Sequence, residues 1–306
     1  MKYVASFLIA ALSLPASAGL IRHDLPDSWY TGLGSDPAFH SVGLVDIDNS
    51  AGGGTCSGTV IHKNWVLTAA HCMQSANKMG VHIVKNDSWR FYEASSWVAH
   101  ENFVYENPFG GWDIGLMHFN EDLDVTPAEL YRGFNEVGAE IVSVGFGWTG
   151  TGETGNQFID YQRRAGTNIV DFAASLEGNQ DQLLFADFDH PTDPAFNIFD
   201  NPLASIDDLA TVLELIIAPG DSGGGTFLIE DGQLYVAGVH SFTGGPVRPD
   251  GTVGGYGDYY TSTRVSSFID WIDRKINPVT VPEPSNIFLI LFGFATLLFR
   301  RSHLKK

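Results

Sequence analysis

Basic residues are scarce in this chain. Its 306 residues include 17 lysines and arginines against 36 aspartates and glutamates, which gives a formal net charge of −19. The body of the chain is more acidic still, because both of its ends are basic. Such a surface repels nucleic acids and anionic membranes and favours solubility. We therefore predict no nucleic-acid partner, and we interpret the acidic side chains as a solvated surface.

No apolar run is long enough to cross a membrane unaided. The run near the C-terminus, residues 287–299, holds thirteen residues. As a helix with a rise of about 1.5 Å per residue it would reach about 20 Å, short of the roughly 30 Å hydrocarbon core. A transmembrane helix there would have to include its flanks or thin the bilayer, and its basic tail would stay in the cytoplasm.

The C-terminal segment has three parts. Residues 281–285 read VPEPS, the apolar run follows, and Arg300 and Arg301 open a basic tail. This arrangement resembles a PEP-CTERM sorting signal. The resemblance implies processing by a membrane-embedded exosortase and release or attachment at the surface of a Gram-negative bacterium; a plain C-terminal anchor is the alternative. We predict that residues 278–306 form a linker and this sorting or membrane segment.

The N-terminal segment is typical of a secretory signal. Lys2 provides its positive charge, residues 4–14 its apolar core, and the Ala-Ser-Ala triplet at residues 16–18 its cleavage site. A buried N-terminal helix is the alternative. We predict a signal peptide over residues 1–18 and one folded domain over residues 19–277, located outside the cytoplasm.

Cysteine is almost absent, with Cys56 and Cys72 the two examples. Two cysteines in an exported chain suggest one disulfide, and two buried free thiols are the alternative. A bridge between them would close a short loop and contribute about 2–4 kcal/mol to stability.

Three short motifs carry the chemistry. Residues 67–72 read LTAAHC, residues 112–116 read WDIGL and residues 219–224 read PGDSGG. A serine hydroxyl is a poor nucleophile at neutral pH unless an adjacent base takes its proton and a buried carboxylate orients that base. The motifs supply these three groups as His71, Asp113 and Ser222. Their order is that of chymotrypsin-like proteases and differs from the orders in subtilisins and α/β-hydrolases.

On these residues the chain resembles the trypsin/chymotrypsin family of serine endopeptidases. The resemblance implies an all-β fold of two six-stranded antiparallel β-barrels, with the catalytic cleft between them and a helix at the C-terminal end. A composition rich in glycine and poor in charge suits such a fold.

The local patterns agree with that architecture. Residues 148–156 are rich in glycine and predict a loop, and the apolar spacing of residues 264–276 predicts the closing helix. Alternating or apolar stretches bounded by turn residues predict strands. These strands are residues 41–47, 55–61, 65–70, 97–99 and 114–118 in the first barrel, and 140–147, 223–229 and 234–239 in the second.

The resemblance also assigns roles to individual residues. Ser222 would be the nucleophile, His71 the general base and Asp113 the buried partner of the base. The backbone N–H groups of Gly220 and Ser222 would form the oxyanion hole. Ser241 matches the serine that commonly hydrogen-bonds the catalytic aspartate, and the two cysteines match a pair that bridges beside the catalytic base.

The specificity pocket departs from the family pattern. Six positions before Ser222, where trypsin-type enzymes carry an aspartate, this chain has Ile216. We take Ile216, Ser241 and Phe242 as candidate pocket residues and expect a small or apolar side chain at the cleavage site. Asp258 could still reach the pocket and restore a preference for basic residues.

Activation is a second departure. In the family the aspartate before the nucleophile, here Asp221, pairs with a new N-terminal amine, but the usual Ile-Val-Gly-Gly start is missing. Two alternatives remain open. An amine exposed between Gly19 and Ile21 could take this part, or Arg22 or His23 could pair with Asp221 through its side chain.

The segment of residues 171–210 is acidic and rich in turns, which is atypical of the family. Carboxylates at alternating positions could bind calcium, which prefers several oxygen ligands. The full spacing of a known calcium loop is missing, so we predict a solvated surface loop, no resident metal and no organic cofactor, with calcium as the alternative.

The sequence thus predicts an exported serine endopeptidase that cleaves proteins or peptides through an acyl-enzyme. An esterase is an alternative within the same chemistry, because acyl transfer does not distinguish esters from amides. A protease that stays latent until the segment before Ser41 is trimmed is another. The alternative from a different class is a non-catalytic protease-fold module that binds or adheres at the cell surface.

Overall fold

The computed structural model describes residues 19–50, 52–86, 88–105, 107–175, 181–199, 210–246 and 254–277. The predicted signal peptide and the predicted sorting segment lie outside these residues. The chain divides into two compact units, one ending at Ile269 and the other beginning at Asp270. Of the second unit the structure describes the residues up to Asn277.

The first barrel is built from one sheet that, among the described residues, contains seven strands. The strands, numbered along the chain, are β2 Val42–Asn49, β3 Gly54–His62, β4 Trp65–Thr68, β5 Ala76–Lys85, β6 Ser88–Glu93, β7 Ser96–Ala99 and β8 Gly115–His118. Their order is β6-β5-β2-β3-β4-β8-β7, and each neighbouring pair is antiparallel.

Apolar side chains fill the interior of this sheet. Val45 on β2, Val60 on β3 and Val66 on β4 are fully buried. Branched side chains of this kind favour strands, and burying each one contributes about 1.5–3 kcal/mol. The sheet therefore gives a packed support to the segment that follows β4, where His71 lies.

The second barrel contains an eight-stranded sheet within the described ranges. Its strands are β9 Glu129–Leu130, β10 Glu140–Gly145, β13 Arg164–Ile169, β14 Phe172–Ala174, β15 Leu183–Asp187, β17 Gly225–Glu230, β18 Gln233–Gly244 and β19 Tyr259–Arg264. Seven follow the order β13-β10-β17-β18-β19-β15-β14, and the two-residue β9 lies beside β18.

A smaller sheet is associated with this barrel. Its strands are β1 Gly19–Ile21, β11 Trp148–Thr151, β12 Gly155–Ile159 and β16 Leu215–Ile216, in the order β12-β11-β1-β16. β1 runs parallel to β11 and antiparallel to β16. Residues 148–156, predicted to be a loop, therefore form most of the β11–β12 hairpin, because β1 supplies a partner strand that the local sequence does not reveal.

Helices are short in the described part of the chain. The α-helices are α1 Asp27–Gly34 and α2 Ile269–Ile276, and 3₁₀ turns cover Pro37–Phe39, Ala70–Met73, Pro108–Gly110, Pro194–Phe196 and Val265–Phe268. The predicted C-terminal helix is thus a 3₁₀ turn followed by α2. Within the described residues no helix is long and apolar enough to cross a membrane.

The prediction of an all-β fold with two antiparallel barrels and a C-terminal helix is confirmed. The two large sheets hold seven and eight described strands, not six each. Short edge strands such as β9 and β14 account for part of this difference, since two or three residues give too little pattern to be recognised in the sequence.

Arg163 joins the two barrels from its position directly before β13. Its guanidinium donates to three backbone carbonyls, those of Gly34 at 2.6 Å, Val42 at 3.0 Å and Val84 at 3.2 Å. Val42 and Val84 belong to strands β2 and β5 of the first barrel. Burial lowers the pKa of Arg163 to about 10, so the side chain stays charged at neutral pH.

Candidate active site

His71 lies just beyond the end of β4. The 3₁₀ turn Ala70–Met73 carries it, and its neighbour Cys72 forms a disulfide with Cys56 on β3. The Cα atoms of the two cysteines are 6.3 Å apart. The predicted disulfide is confirmed, and it ties the turn that bears His71 to the centre of the first sheet.

Asp113 lies beside His71 and is fully buried. One carboxylate oxygen is 2.7 Å from His71 Nδ1, and the other accepts the backbone N–H of His71 at 2.9 Å. Ser241 on β18 donates its hydroxyl to the first oxygen at 2.6 Å, and Thr263 on β19 donates to the backbone carbonyl of Asp113 at 3.0 Å. Both barrels therefore fix the orientation of this carboxylate.

These contacts set the charge of the pair. Burial opposes a charge on the His71 ring, but the hydrogen bond to Asp113 and its negative charge outweigh that effect and raise the pKa of His71 above 6.5. Burial likewise acts to raise the pKa of Asp113, yet the hydrogen bonds from His71 and Ser241 hold it below its ordinary value. The pair is thus built to stabilise a protonated imidazole next to an ionised carboxylate.

The loop that carries Ser222 is held from both barrels. Ser57 on β3 donates its N–H to the Ser222 carbonyl at 2.8 Å and its hydroxyl to the Gly220 carbonyl at 2.9 Å. On the other side, the backbone carbonyl of His240 on β18 accepts the N–H of Gly223 at 2.8 Å. The position of Ser222 is therefore set by strands on both sides of the cleft.

Glycine is required at two positions of this loop. Gly220 has φ +95° and Gly223 has φ +81°, which is the left-handed region that other residues rarely adopt. A Cβ at position 223 would lie 2.0 Å from the Thr68 hydroxyl and 2.4 Å from the Ser57 carbonyl. The loop thus lies directly against the first barrel.

The backbone N–H groups of Gly220 and Ser222 have no acceptor among the described residues. Ser222 is partly exposed and lines a cavity together with Gly220. Two free donors beside a serine hydroxyl are what an oxyanion hole needs.

His71, Gly220 and Ser222 line one cavity of about 540 Å³, together with the disulfide and Tyr105. The structure thus brings together the residues predicted for the nucleophile, the base and the oxyanion hole. Within the described residues no hydrogen bond joins the Ser222 hydroxyl to His71. Such bonds often shorten only when substrate binds.

The residues predicted for the specificity pocket have different surroundings. Ile216 is fully buried in the core cluster of the second barrel, where it is paired with Leu20 across β16 and β1. Ser241 is bonded to Asp113, and Phe242 packs edge-on against Phe109 with ring centroids 4.9 Å apart. The pocket assignment stays a prediction.

Asp258 has a local partner set in the structure. Its carboxylate accepts the N–H groups of Gly254 at 2.7 Å and Gly255 at 2.9 Å, and the residue is almost fully buried. These bonds hold one carboxylate oxygen of Asp258 within the turn formed by residues 254–258.

Asp221 is also buried, next to the nucleophile. Its two carboxylate oxygens accept the N–H groups of Gly147 at 2.7 Å and Ala218 at 2.9 Å. Burial raises the pKa of Asp221 to about 7, and these two hydrogen bonds only partly oppose it. The carboxyl group thus connects the loop before Ser222 to the segment that follows β10.

The two side chains considered as partners of Asp221 lie elsewhere. Arg22 donates to both carboxylate oxygens of Asp24, at 2.8 and 2.9 Å, and to the carbonyl of Thr211. His23 lies 2.8 Å from the hydroxyl of Tyr256. The structure therefore does not support pairing through Arg22 or His23, while pairing with an amine near Gly19 stays a prediction.

Carboxylates of the acidic segment are organised around Asp187. Its carboxylate accepts the N–H groups of Ile198 at 2.7 Å and Phe199 at 3.0 Å, and the backbone N–H of Asp187 donates to the Asp171 carboxylate at 3.1 Å. Burial, followed by the negative charge of Asp187, raises the pKa of Asp171 to about 9. The prediction that this segment is a solvated surface loop is wrong for part of it. Residues Leu183–Asp187 form the fully buried strand β15, because their apolar side chains pack in the second barrel. Calcium binding stays the alternative.

Comparison with known proteins gives matches in sequence and in fold. Residues 34–178 match the family model described as Trypsin. Trypsin-1 of Astacus astacus is 29% identical over 242 residues, which cover 73% of this chain and 88% of that protein. Vitamin K-dependent protein C of Rattus norvegicus is 23% identical over 252 residues, covering 72% of this chain. The chain spans 46% of that relative's length.

A solved structure described as HL collagenase has the same fold. It superposes with a TM-score of 0.54 and 19% identity, covering 85% of this chain and 98% of its own. The predicted chymotrypsin-like fold is therefore confirmed. The sequence matches support a trypsin/chymotrypsin-like serine protease.

Proposed function

We propose that this protein is an exported serine endopeptidase in which Ser222 is the nucleophile, His71 the general base and Asp113 the residue that orients His71. One observation carries the proposal. The fully buried Asp113 binds the inner nitrogen of His71 at 2.7 Å, and His71 shares a cavity with Ser222. A histidine with a purely structural role would require neither a buried carboxylate at Nδ1 nor a cavity beside its ring.

The reaction begins when the Ser222 hydroxyl attacks the scissile carbonyl carbon and His71 takes the hydroxyl proton. The carbonyl oxygen becomes an oxyanion, to which the N–H groups of Gly220 and Ser222 donate. His71 then gives its proton to the leaving amine, the C–N bond breaks and an acyl-enzyme remains. Water attacks the ester by the same steps, which frees the acid and restores Ser222.

Asp113 acts on His71 throughout. Its hydrogen bond to Nδ1 keeps the other nitrogen, Nε2, available as the base. The hydroxyl of Ser241 stabilises the carboxylate from the second barrel, so the carboxylate stays ionised while His71 becomes positive. Neither Asp113 nor Ser241 exchanges a proton with the substrate in this scheme.

Proteins or peptides are the proposed substrates, and we place the reaction outside the cytoplasm. The disulfide and the trypsin-like relatives support an extracellular protein. Cleavage of a signal peptide after Ala18 and processing of residues 278–306 by an exosortase are parts of the proposal that rest on the sequence. So is the membrane attachment of the C-terminus.

The decisive test is labelling of the exported protein with a fluorophosphonate, which reacts with activated serines. We expect labelling of the native chain and none of the Ser222→Ala variant, whose peptidase turnover should fall by about 10⁶-fold. Equal labelling of both would place the reactive serine elsewhere and contradict the proposal.

A folded, disulfide-bonded chain that takes up no label would also count against it. Trimming the N-terminal segment would then separate a latent protease, which gains labelling, from a non-catalytic binding module, which does not. An esterase would hydrolyse small esters but leave protein substrates intact.

A further inference from the structure

Three metal-ligand side chains from distant parts of the sequence meet beside the small sheet. His23 lies two residues beyond β1, Glu153 in the turn between β11 and β12, and His190 just after β15. One ligand atom from each lies within 4.8 Å of the other two. The two imidazole rings have centroids 5.3 Å apart. We refer to these three residues as the His–Glu–His cluster.

The distance between two of the ligand atoms is close to that of two ligands of one ion. His23 Nε2 is 3.6 Å from the nearer carboxylate oxygen of Glu153. That is longer than an ordinary N–H···O hydrogen bond of about 2.7–3.2 Å. Two ligand atoms at about 2.0–2.1 Å from a tetrahedral zinc ion lie about 3.3 Å apart. A small movement of the exposed Glu153 side chain would give this separation.

The ring of His23 is oriented by a second residue. Its Nδ1 is 2.8 Å from the hydroxyl of Tyr256, and the same hydroxyl accepts the backbone N–H of His23 at 3.0 Å. With the ring proton on Nδ1, the ring donates to Tyr256 and presents the Nε2 lone pair to Glu153. Such outer hydrogen bonds are how metal-binding histidines are usually fixed.

His190 is held by its own turn. Its Nδ1 accepts the N–H groups of Thr192 at 3.2 Å and Asp193 at 3.1 Å, and its ring lies edge-on to Tyr256. These bonds place the ring proton on Nε2 in the ion-free protein. Binding an ion at Nε2 therefore requires the proton to move to Nδ1, which breaks the two bonds from the N–H groups. Tyr256 therefore orients His23 before an ion arrives, whereas His190 rearranges when the ion binds.

We infer that the His–Glu–His cluster binds a divalent transition metal ion of the zinc type. Two imidazoles and one carboxylate are a donor set that zinc accepts, whereas calcium and magnesium prefer oxygen ligands alone. The Glu153 side chain is 60% exposed, which gives the ion a route in and leaves a coordination position for water. The net charge of −19 attracts cations to the surface.

The ion links three segments, two of which, β1 and the β11–β12 hairpin, already pair as strands. One is the strand β1, which pairs with β16, and β16 leads into the loop that carries Ser222. The others are the β11–β12 turn and the segment after β15. Zinc therefore stabilises the support of the nucleophile loop and takes no part in the reaction.

Calorimetric titration of the exported chain with zinc chloride tests this inference. We expect one ion per chain, a higher melting temperature with zinc and its reversal by a chelator. The variants His23→Ala and His190→Ala should lose the binding. His82→Ala is the matched control, because His82 is also a partly exposed histidine next to a carboxylate, Asp46, at 3.3 Å.

Tyr256→Phe keeps the aromatic packing and removes the hydroxyl that orients His23, so zinc affinity should fall by about 10–100-fold. This variant gives a result even where an alanine variant fails to fold. Absence of binding by the native chain, unchanged affinity in the folded variants, or equal competition by calcium would each overturn the inference.

Discussion

Two buried aspartates lie near the proposed nucleophile, and their pKa values are shifted in opposite directions. Asp113 accepts three hydrogen bonds, two from His71 and one from Ser241, and its pKa lies below the ordinary value. Asp221 accepts two backbone N–H groups, and its pKa is raised to about 7. Burial acts on both in the same direction. The number of donors and the presence of an imidazole decide which carboxylate stays charged.

The two carboxylates accordingly have different tasks. Asp113 supplies a negative charge to a group that becomes positive during the proposed reaction. Asp221 connects Gly147 and Ala218 next to the loop of the proposed oxyanion hole. Substitutions that remove the charge but keep the shape should therefore separate them.

The largest effect is expected for Asp113→Asn. The amide cannot stabilise a protonated His71, and it favours the wrong tautomer of the ring. We expect kcat to fall by about 10⁴-fold with the fold intact. Kinetics on a peptide substrate and a circular dichroism spectrum would check this. A loss below tenfold would show that the two aspartates do not differ as described.

A smaller loss is expected for Asp221→Asn. The amide has a single acceptor oxygen, so the N–H group of Gly147 or Ala218 loses its partner and the oxyanion hole shifts. We expect kcat to fall by about 10²-fold, as for the loss of one oxyanion donor. Fluorophosphonate labelling should slow in parallel.

The same variant should change the pH dependence of stability. The folded-state pKa of Asp221, about 7, lies above the ordinary 3.8, so its contribution is fully present below about pH 4 and is lost as the pH rises through 7. The melting temperature of Asp221→Asn should therefore approach that of the native chain between pH 4 and 8. A gap that widens with pH would contradict the assignment.

Ser241→Ala tests the weaker support of Asp113. One donor of three is lost, which costs about one charged hydrogen bond, so kcat/KM should fall by about tenfold. The Asp113→Asn and Ser241→Ala substitutions should not be additive, since both act through the same carboxylate. Additive losses would mean that Ser241 acts by another route.

The subtlest expectation concerns the acid limb of the pH profile. Because His71 must be neutral to act as the base, kcat/KM should rise with pH through a pKa above 6.5. In Asp113→Asn this limb should move to lower pH, since burial remains while the stabilising charge is gone. If the acid limb does not move in Asp113→Asn, the pKa that it reports belongs to a group other than His71.

The sequence predicts much of this site because its motifs are local. His71, Asp113 and Ser222 each lie in a short recognisable stretch, and family resemblance supplies their proximity. The partner of Asp221 was not predictable, since Gly147 and Ala218 act through backbone N–H groups that carry no side-chain signal. The strand β1 was missed for a similar reason: three residues give no period, and β11 and β16 stabilise it only in the folded chain.

The His–Glu–His cluster illustrates the same limit. Its three members lie in unrelated loops, and none belongs to a motif with metal-ligand spacing. Only the arrangement of β1, β11 and β15 brings them together. Predicting such a site requires knowing which segments contact each other, because the local sequence around each residue carries no signal.

The contacts of Arg163 make the alignment of the two barrels insensitive to salt and to pH. Its three acceptors are carbonyl oxygens, which neither titrate nor exchange with dissolved counterions. A surface ion pair in the same place would weaken in brine and lose its acidic member at low pH. The alignment of the two barrels is therefore suited to surroundings whose salinity and acidity vary, such as those met by a protein that has left its cell.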